Sequence, residues 1–473
     1  MVVRPVREFC VKQKGQAIVA ALVIMLLSVS GLVLMYNTGQ ATSEKLKVVN
    51  AADAAAYSGS LWIARQLNFM AYTNRAMIAN HVSVGHFVSF TSWIRNTEQN
   101  IVHLNRIATV FPPLRAFTQI ARNVTRTYRN VTEQFGRVYV PAVNLFNQGL
   151  YASQIAARVN LNGFVVNQVM RRTAGNYDDN IQVNDGDDLL ELSQRSLRSG
   201  NTSRAARAAE TVIGQFEALF LFTDIYDAVN DRGRAAGLVE TSLDSSEPWI
   251  RGNRGWRFCL DGTRCRRFLP NHRLSKRGNT VHSVDGGTDQ SRRNDCSFFS
   301  RFFGRNADNN GGEGLNWYSR DETQLEHVRV RRFRLRWSTI FRTCADANAT
   351  EFSSSYRGID NYYALRNQNR EHQTLSIFAY ATLDANESSV PVYHTFRETN
   401  PSDPQYEVKR RQAITSEKTT ALVEAQVFHG NEEEFLLTDQ ASEYSNLFNP
   451  YWHARSTFGT YDRIASVIAG IND

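Results

Sequence analysis

Hydrophobic residues are arranged along the chain in three successive patterns. Ala17 to Met35 reads AIVAALVIMLLSVSGLVLM, 19 residues without a charge. At about 1.5 Å per residue, a helix of that length covers roughly 28 Å, the thickness of a bilayer's hydrocarbon layer. Every face of the segment is apolar, which sets it apart from an amphipathic helix lying on a core. No proline occurs between Pro5 and Pro112 and glycines are few, so the helix is expected to continue beyond the apolar stretch. There Val48, Ala52, Ala55 and Gly59 fall near one helical stripe, where small side chains admit another backbone closely. Such a stripe serves either to dock another subunit or to pack within its own domain. From residue 101 to about 245 apolar residues recur at helical spacing, as in VNLFNQGLYASQIAARVNLNGFVVNQVM, and further helices are expected.

Near residue 246 Gly, Asn, Asp, Ser and Arg crowd together and the periodicity shifts toward two. HVRVRRFRLRW alternates as one strand if a bulge is placed at Arg331–Arg332. Val328, Val330, Phe333, Leu335 and Trp337 then face inward, and Arg329, Arg334 and Arg336 outward. QTLSIFAYATL, with Leu375, Ile377, Ala379 and Ala381 on one face, and ALVEAQVFHG read as later strands. The pattern predicts an α+β protein in which a long N-terminal transmembrane helix continues into a helical domain, followed by a β-rich C-terminal region. A chain of 473 residues exceeds one ordinary domain. The expected division is a basic tip and anchor over 1–43, a helical domain over 44–245 and a β-rich Arg- and Cys-containing region over 246–473.

Charge adds a direction. Arg4, Arg7, Lys12 and Lys14 precede the apolar stretch against Glu8 alone, and no charge follows it until Glu44, so the positive-inside bias places the N-terminus in the cytoplasm and the bulk outside it. With a single long apolar stretch and a negative mean hydropathy, a multi-spanning transporter or channel is excluded. A cleavable secretory signal is the competing reading; its apolar region usually runs about 7–15 residues, and Gly39-Gln40-Ala41 is the nearby small-x-small site. Cys10 falls on the cytoplasmic side, leaving Cys259, Cys265, Cys296 and Cys344 in an oxidising compartment where two disulfides are expected. Three pairings are open, of which the short CLDGTRC loop favours Cys259–Cys265 with Cys296–Cys344. Zinc is the rival, although the gaps form no paired C-x2-C knuckles.

Between Arg251 and Cys344 stand 19 Arg and one Lys against nine acids, so a local excess of +11 exceeds the +8 of the whole chain. Arg329, Arg334 and Arg336, with Trp256, Phe258, Phe268, Trp317 and Trp337 nearby, suit an acidic polysaccharide, lipid headgroups or extracellular DNA. The alternative is a solvated strand face. No sequence-specific nucleic-acid recognition is expected. In NYDDNIQVNDGDDLLE, Gly186 would place Ile181 at the first position of a calcium loop. A solvated loop with Asp187 or Asp188 near a helix start is expected instead. His81 and His86 lie about 140° apart on a helix, unlike a zinc-binding i, i+4 pair, and the other histidines read as surface or satisfied polar residues. No nucleophile elbow, phosphate loop or dinucleotide fingerprint occurs; no catalysis, cofactor or metal is expected.

Gly15-Gln16 opening an apolar helix, and NAADAAAYSGS from Asn50 to Ser60, resemble the TadE/TadG-like proteins of Tad (Flp) pilus systems. QLNFMAYTNRAMIANHVSVGHFVSF from Gln66 and NPYWHAR from Asn449 to Arg455 are similar to the larger TadG-like subgroup. The resemblance implies a membrane-anchored structural or assembly component of a pilus in the bacterial inner membrane, minor-pilin-like, whose partners are other pilus or secretion-system subunits. It also implies processing between Gly15 and Gln16, although Ala20 stands where prepilins carry a glutamate. Asp53, the lone acid of its turn beside Asn50, then meets a donor on a neighbouring subunit or merely solvates its helix face. Some members carry a metal-dependent adhesion module; Leu243-Asp244-Ser245-Ser246 does not have its spacing. The alternative function is a membrane-tethered adhesin or polyanion-binding module.

Overall fold

The computed structural model describes residues 16–108, 112–187, 226–229, most of 235–284, 296, 315–331, 334–359, 361–365, 375–384, 418–430 and 445–457. Helix α1 (Gln16–Ile107) is continuous over 92 residues, roughly 140 Å at 1.5 Å per residue, as the absence of proline permits. Helix α2 (Pro112–Asn160) returns beside it. The antiparallel pairing is recorded in side-chain contacts that step along both helices in opposite directions: Thr118 with Asn105, Arg129 with Glu98, Asn80 with Asn147, and Trp62 Nε1 donating to the carbonyl of Asn160. Helix α3 (Gly163–Gly175) starts where the Asn162 side chain accepts from the amides of Phe164 and Val165, satisfying donors that have no partner inside the helix.

The strands are β1 (Gln182–Val183), β2 (Tyr226–Val229), β3 (Trp256–Cys259), β4 (His272–Val284), β5 (Leu315–Arg331), β6 (Arg334–Asn348), β7 (Tyr362–Leu365), β8 (Leu375–Asp384), β9 (Lys418–His429) and β10 (Trp452–Ser456). They form an antiparallel sheet in the order β1-β8-β9-β10, a β2-β7 pair, and a β3-β4-β5-β6 meander. An α+β architecture with a long apolar N-terminal helix and a β-rich C-terminal region is what the periodicity predicts. Ile377, Ala379 and Ala381 share the buried face of β8 with Leu375 packed against them, also as expected.

The Arg-rich segment departs from expectation. It is not one bulged strand: Arg329 pairs with Arg336 and Arg331 with Arg334, so the chain reverses between Arg331 and Arg334. Partners across a hairpin share a face, so strict alternation looks the same through a tight reversal as through a bulged strand. The inward face is also only partly realised, since Val328 is buried but Val330 is 54 % exposed; Phe333 lies outside the described residues.

Helix α1 is the spine of two cores. Its residues from Val48 to Met70 pack with α3 and the β1-β8-β9-β10 sheet. Its residues from Met77 to Val88 pack with Val140 of α2, Trp317 of β5 and the region around Phe352 and Tyr356. Beyond these the buried face of α1 turns polar: Ser89, Ser92 and Asn96 are fully enclosed against Thr280, Ser319, Asp321, Thr323 and Thr343 of the meander.

Candidate functional site: the faces of the long helix

From Ile18 to Tyr36 the large apolar side chains of α1 are exposed, and α1 is long and apolar enough to cross a membrane. Higher up, Val48, Ala52 and Ala55 have no solvent exposure and Gly59 is buried. A Cβ on Gly59 would stand 2.9 Å from Cγ of Met170 in α3. The stripe is therefore occupied by this chain's own α3 and sheet. Asn50 and Asp53 point away from it and are exposed, with Asp53 Oδ1 accepting from the Ser456 hydroxyl at 2.9 Å. Gln16 opens α1; Gly15 lies outside the described residues.

The two segments similar to the larger TadG-like subgroup, from Gln66 and from Asn449, meet in space. The Asn68 amide donates to the carbonyl of Trp452 at 2.9 Å and accepts from its N–H at 3.0 Å, clasping the start of β10. One turn and a half later, buried Asn74 donates to the carbonyls of Tyr363 and Leu447 and accepts from Gln154 of α2 at 2.7 Å. Backbone groups at the ends of β7 and β10 thus find side-chain partners on α1, which fixes these strands to the helix.

Further along, His81 is fully buried. Its Nδ1 lies 2.5 Å from the Tyr356 hydroxyl and its Nε2 2.8 Å from Nε2 of His282. Both rings are neutral, so one of the two facing Nε2 atoms carries the shared proton and the other accepts it. Burial holds the His81 imidazole well below its ordinary pKa, with the adjacent His282 adding to the effect, and burial brings His282 down to about 4. Burial also pushes the Tyr356 phenol well up, so it keeps its proton. Trp317 closes the cluster by donating Nε1–H to the His81 carbonyl at 2.8 Å. Helix α1 must bear glycine at Gly85, because a Cβ there would stand 2.7 Å from the Trp317 ring.

A charged node follows. Arg254 and Asp321 have fully enclosed side chains 3.4 Å apart. The Ser92 hydroxyl donates to Asp321 at 2.5 Å, and Lys276 stands 3.8 Å from the same carboxylate. Desolvation raises the Asp321 pKa against the pull of Arg254, Ser92 and Lys276, and it lowers both cations. Removing one partner of such a node would strand a buried charge. Sequence periodicity gave no sign of it, since its members come from α1, β4, β5 and residue 254.

At the far end of the meander Arg329, Arg334 and Arg336 are exposed, with Arg329 directly opposite Arg336 in register. Trp256, Phe258 and Phe268 are exposed, but Trp317 is buried and unavailable for stacking, a correction to the expected aromatic set. Trp337 is covered by Arg273, whose guanidinium lies 4.6 Å from the ring centroid and pairs with Glu326. Cys259 is bonded to Cys265 and Cys296 to Cys344, the pairing favoured by the short loop. Cys344 lies on β6, so the second bond fastens residue 296 to the meander.

Residues 15–66 match a family model described as Tad, putative Flp pilus-assembly TadE/G-like. No curated protein and no solved structure matches the chain.

Proposed function

We propose that this chain, whose residues 15–66 are TadE/G-like, is a membrane-anchored assembly component of a Tad/Flp-type pilus, with a minor-pilin-like role. The observation that carries the reading is that the matched span coincides with the part of α1 that leaves an exposed apolar segment and enters the folded body. One rigid helix thereby joins a bilayer-length segment to both cores, so that a load on the body passes to the membrane without a flexible joint. In this reading the N-terminus is cytoplasmic and the bulk is periplasmic or in a surface pilus. The machinery is packing and not catalysis.

The test is the intact mass of protein extracted from native membranes, with pili counted by electron microscopy in a strain lacking the protein. A full-length chain supports a permanent anchor, and loss of residues 1–15 supports pilin-type processing after Gly15. Cleavage near Ala41, or unchanged piliation without the protein, overturns the proposal.

A second reading, a polyanion-binding surface, is favoured by the Arg329–Arg336 pairing. Like charges directly opposite are unfavourable within a sheet, and an anionic ligand would relieve them. Its binding groups are Arg329, Arg334 and Arg336, and its partners acidic polysaccharides or other polyanions.

A further inference from the structure

Helix α2 carries a row of apolar side chains on its exposed side. The side chains it buries toward α1 include Thr118, Thr132, Asn144, Asn147 and Gln154. Val140 and Ala157 are buried beside them, but most of the large apolar side chains of α2 face outward. Phe117, Val124, Val131, Val138, Leu145 and Val159 lie on one seven-residue repeat and are 48–70 % exposed. Tyr128 and Phe135 occupy the alternate position of the same seam and are also exposed. A strict seven-residue repeat keeps a straight seam only when the helix supercoils about another helix.

We infer that α2 pairs with α2 of a second copy of this chain, in parallel and in register. At roughly 100 Å² of exposed surface on each of these eight side chains, the seam offers about 800 Å², which is what one side of a stable interface buries. The positions flanking it include Thr125, Thr127, Gln134 and Gln148, so a second copy brings no row of like charges against itself. Arg122, Arg126 and Arg137 lie outside the flanking positions of the repeat. The parallel direction rests on the membrane-anchored reading: two copies rising from one bilayer present α2 in the same orientation about a twofold axis normal to it.

The experiment uses the full-length chain in native membranes, with Cys10→Ser removing the remaining thiol and a single cysteine replacing Val131, Val138 or Asn130, which is exposed off the seam. After mild oxidation, Val131→Cys and Val138→Cys are expected to give a disulfide-linked dimer at least tenfold more abundant than Asn130→Cys. No dimer, equal yields at all three sites, or linkage to a different protein overturns the inference. Fractionation of the same samples reads the anchor separately, because same-site linkage in protein that does not sediment with membranes keeps the seam and refutes the anchor. As a second measurement, Val131→Asp/Val138→Asp should halve the light-scattering mass of the detergent-extracted protein. These side chains are exposed in the single chain, so the variant should keep its helical circular dichroism; an unchanged mass refutes the pairing.

Discussion

At the scale of single residues, the buried histidine pair makes stability depend on pH with a definite sign. Both imidazoles have folded pKa values below their ordinary value, His282 at about 4. The unfolded chain therefore binds more protons once the pH drops below the ordinary histidine value near 6.5. Stability is complete above that pH and declines as the pH falls toward about 4. Melting temperatures across this window should fall, and His282→Gln should flatten the slope. Gly85→Ala tests packing alone. Its Cβ would press on a fully buried indole held by the His81 carbonyl, and overpacking of this kind costs about 1–3 kcal/mol, readable as a shift in urea midpoint. None of these roles was visible in sequence, where His81 reads only as not sharing a zinc-facing side with His86. His282 and Tyr356 reach it from positions 201 and 275 residues away, and helical spacing carries no information over such distances.

At the scale of elements, α1 was legible nearly whole, because the absence of proline and a long apolar run are local properties. The use of its small-residue stripe was not. Ala52 and Ala55 are covered by the chain's own core, so Ala52→Leu or Ala55→Leu should lower the stability of the isolated protein by about 1–3 kcal/mol, measurable by denaturant unfolding without any pilus. An unchanged midpoint would mean the stripe is free for a partner. Asn68→Ala should cost about 1–3 kcal/mol by leaving the Trp452 backbone unpaired, with β10 showing the largest gain in hydrogen exchange. The Arg-rich hairpin was misread for a geometric reason: alternation reports which face a residue occupies, not the direction in which the chain runs. Replacing Arg329, Arg334 and Arg336 with Ser should remove an unfavourable cross-strand pair. The melting temperature should hold or rise slightly, while the salt needed to elute the protein from an acidic polysaccharide matrix falls.

At the scale of the whole molecule, a single helix carries a bilayer-length segment and two cores, and two of the sheets join strands far apart in the chain, β1 with β8 and β2 with β7. Reducing the disulfides should loosen the meander first, since both bonds lie on or beside it; mass-resolved hydrogen exchange before and after reduction reads this directly. The sequence by itself determined the apolar segment, the α-then-β order, the buried face of β8 and the favoured cysteine pairing, because each follows from periodicity or short-range spacing. It also carried the likeness of residues 15–66 to a pilus-assembly family. Only the tertiary structure decided that the small-residue stripe is covered, that the arginines face one another across a hairpin, that Arg254 and Asp321 are buried together, and that α2 leaves its apolar seam outward. Those outcomes depend on which surfaces the chain brings into contact across long separations, and burial is a property of that contact, not of any residue's neighbours in sequence.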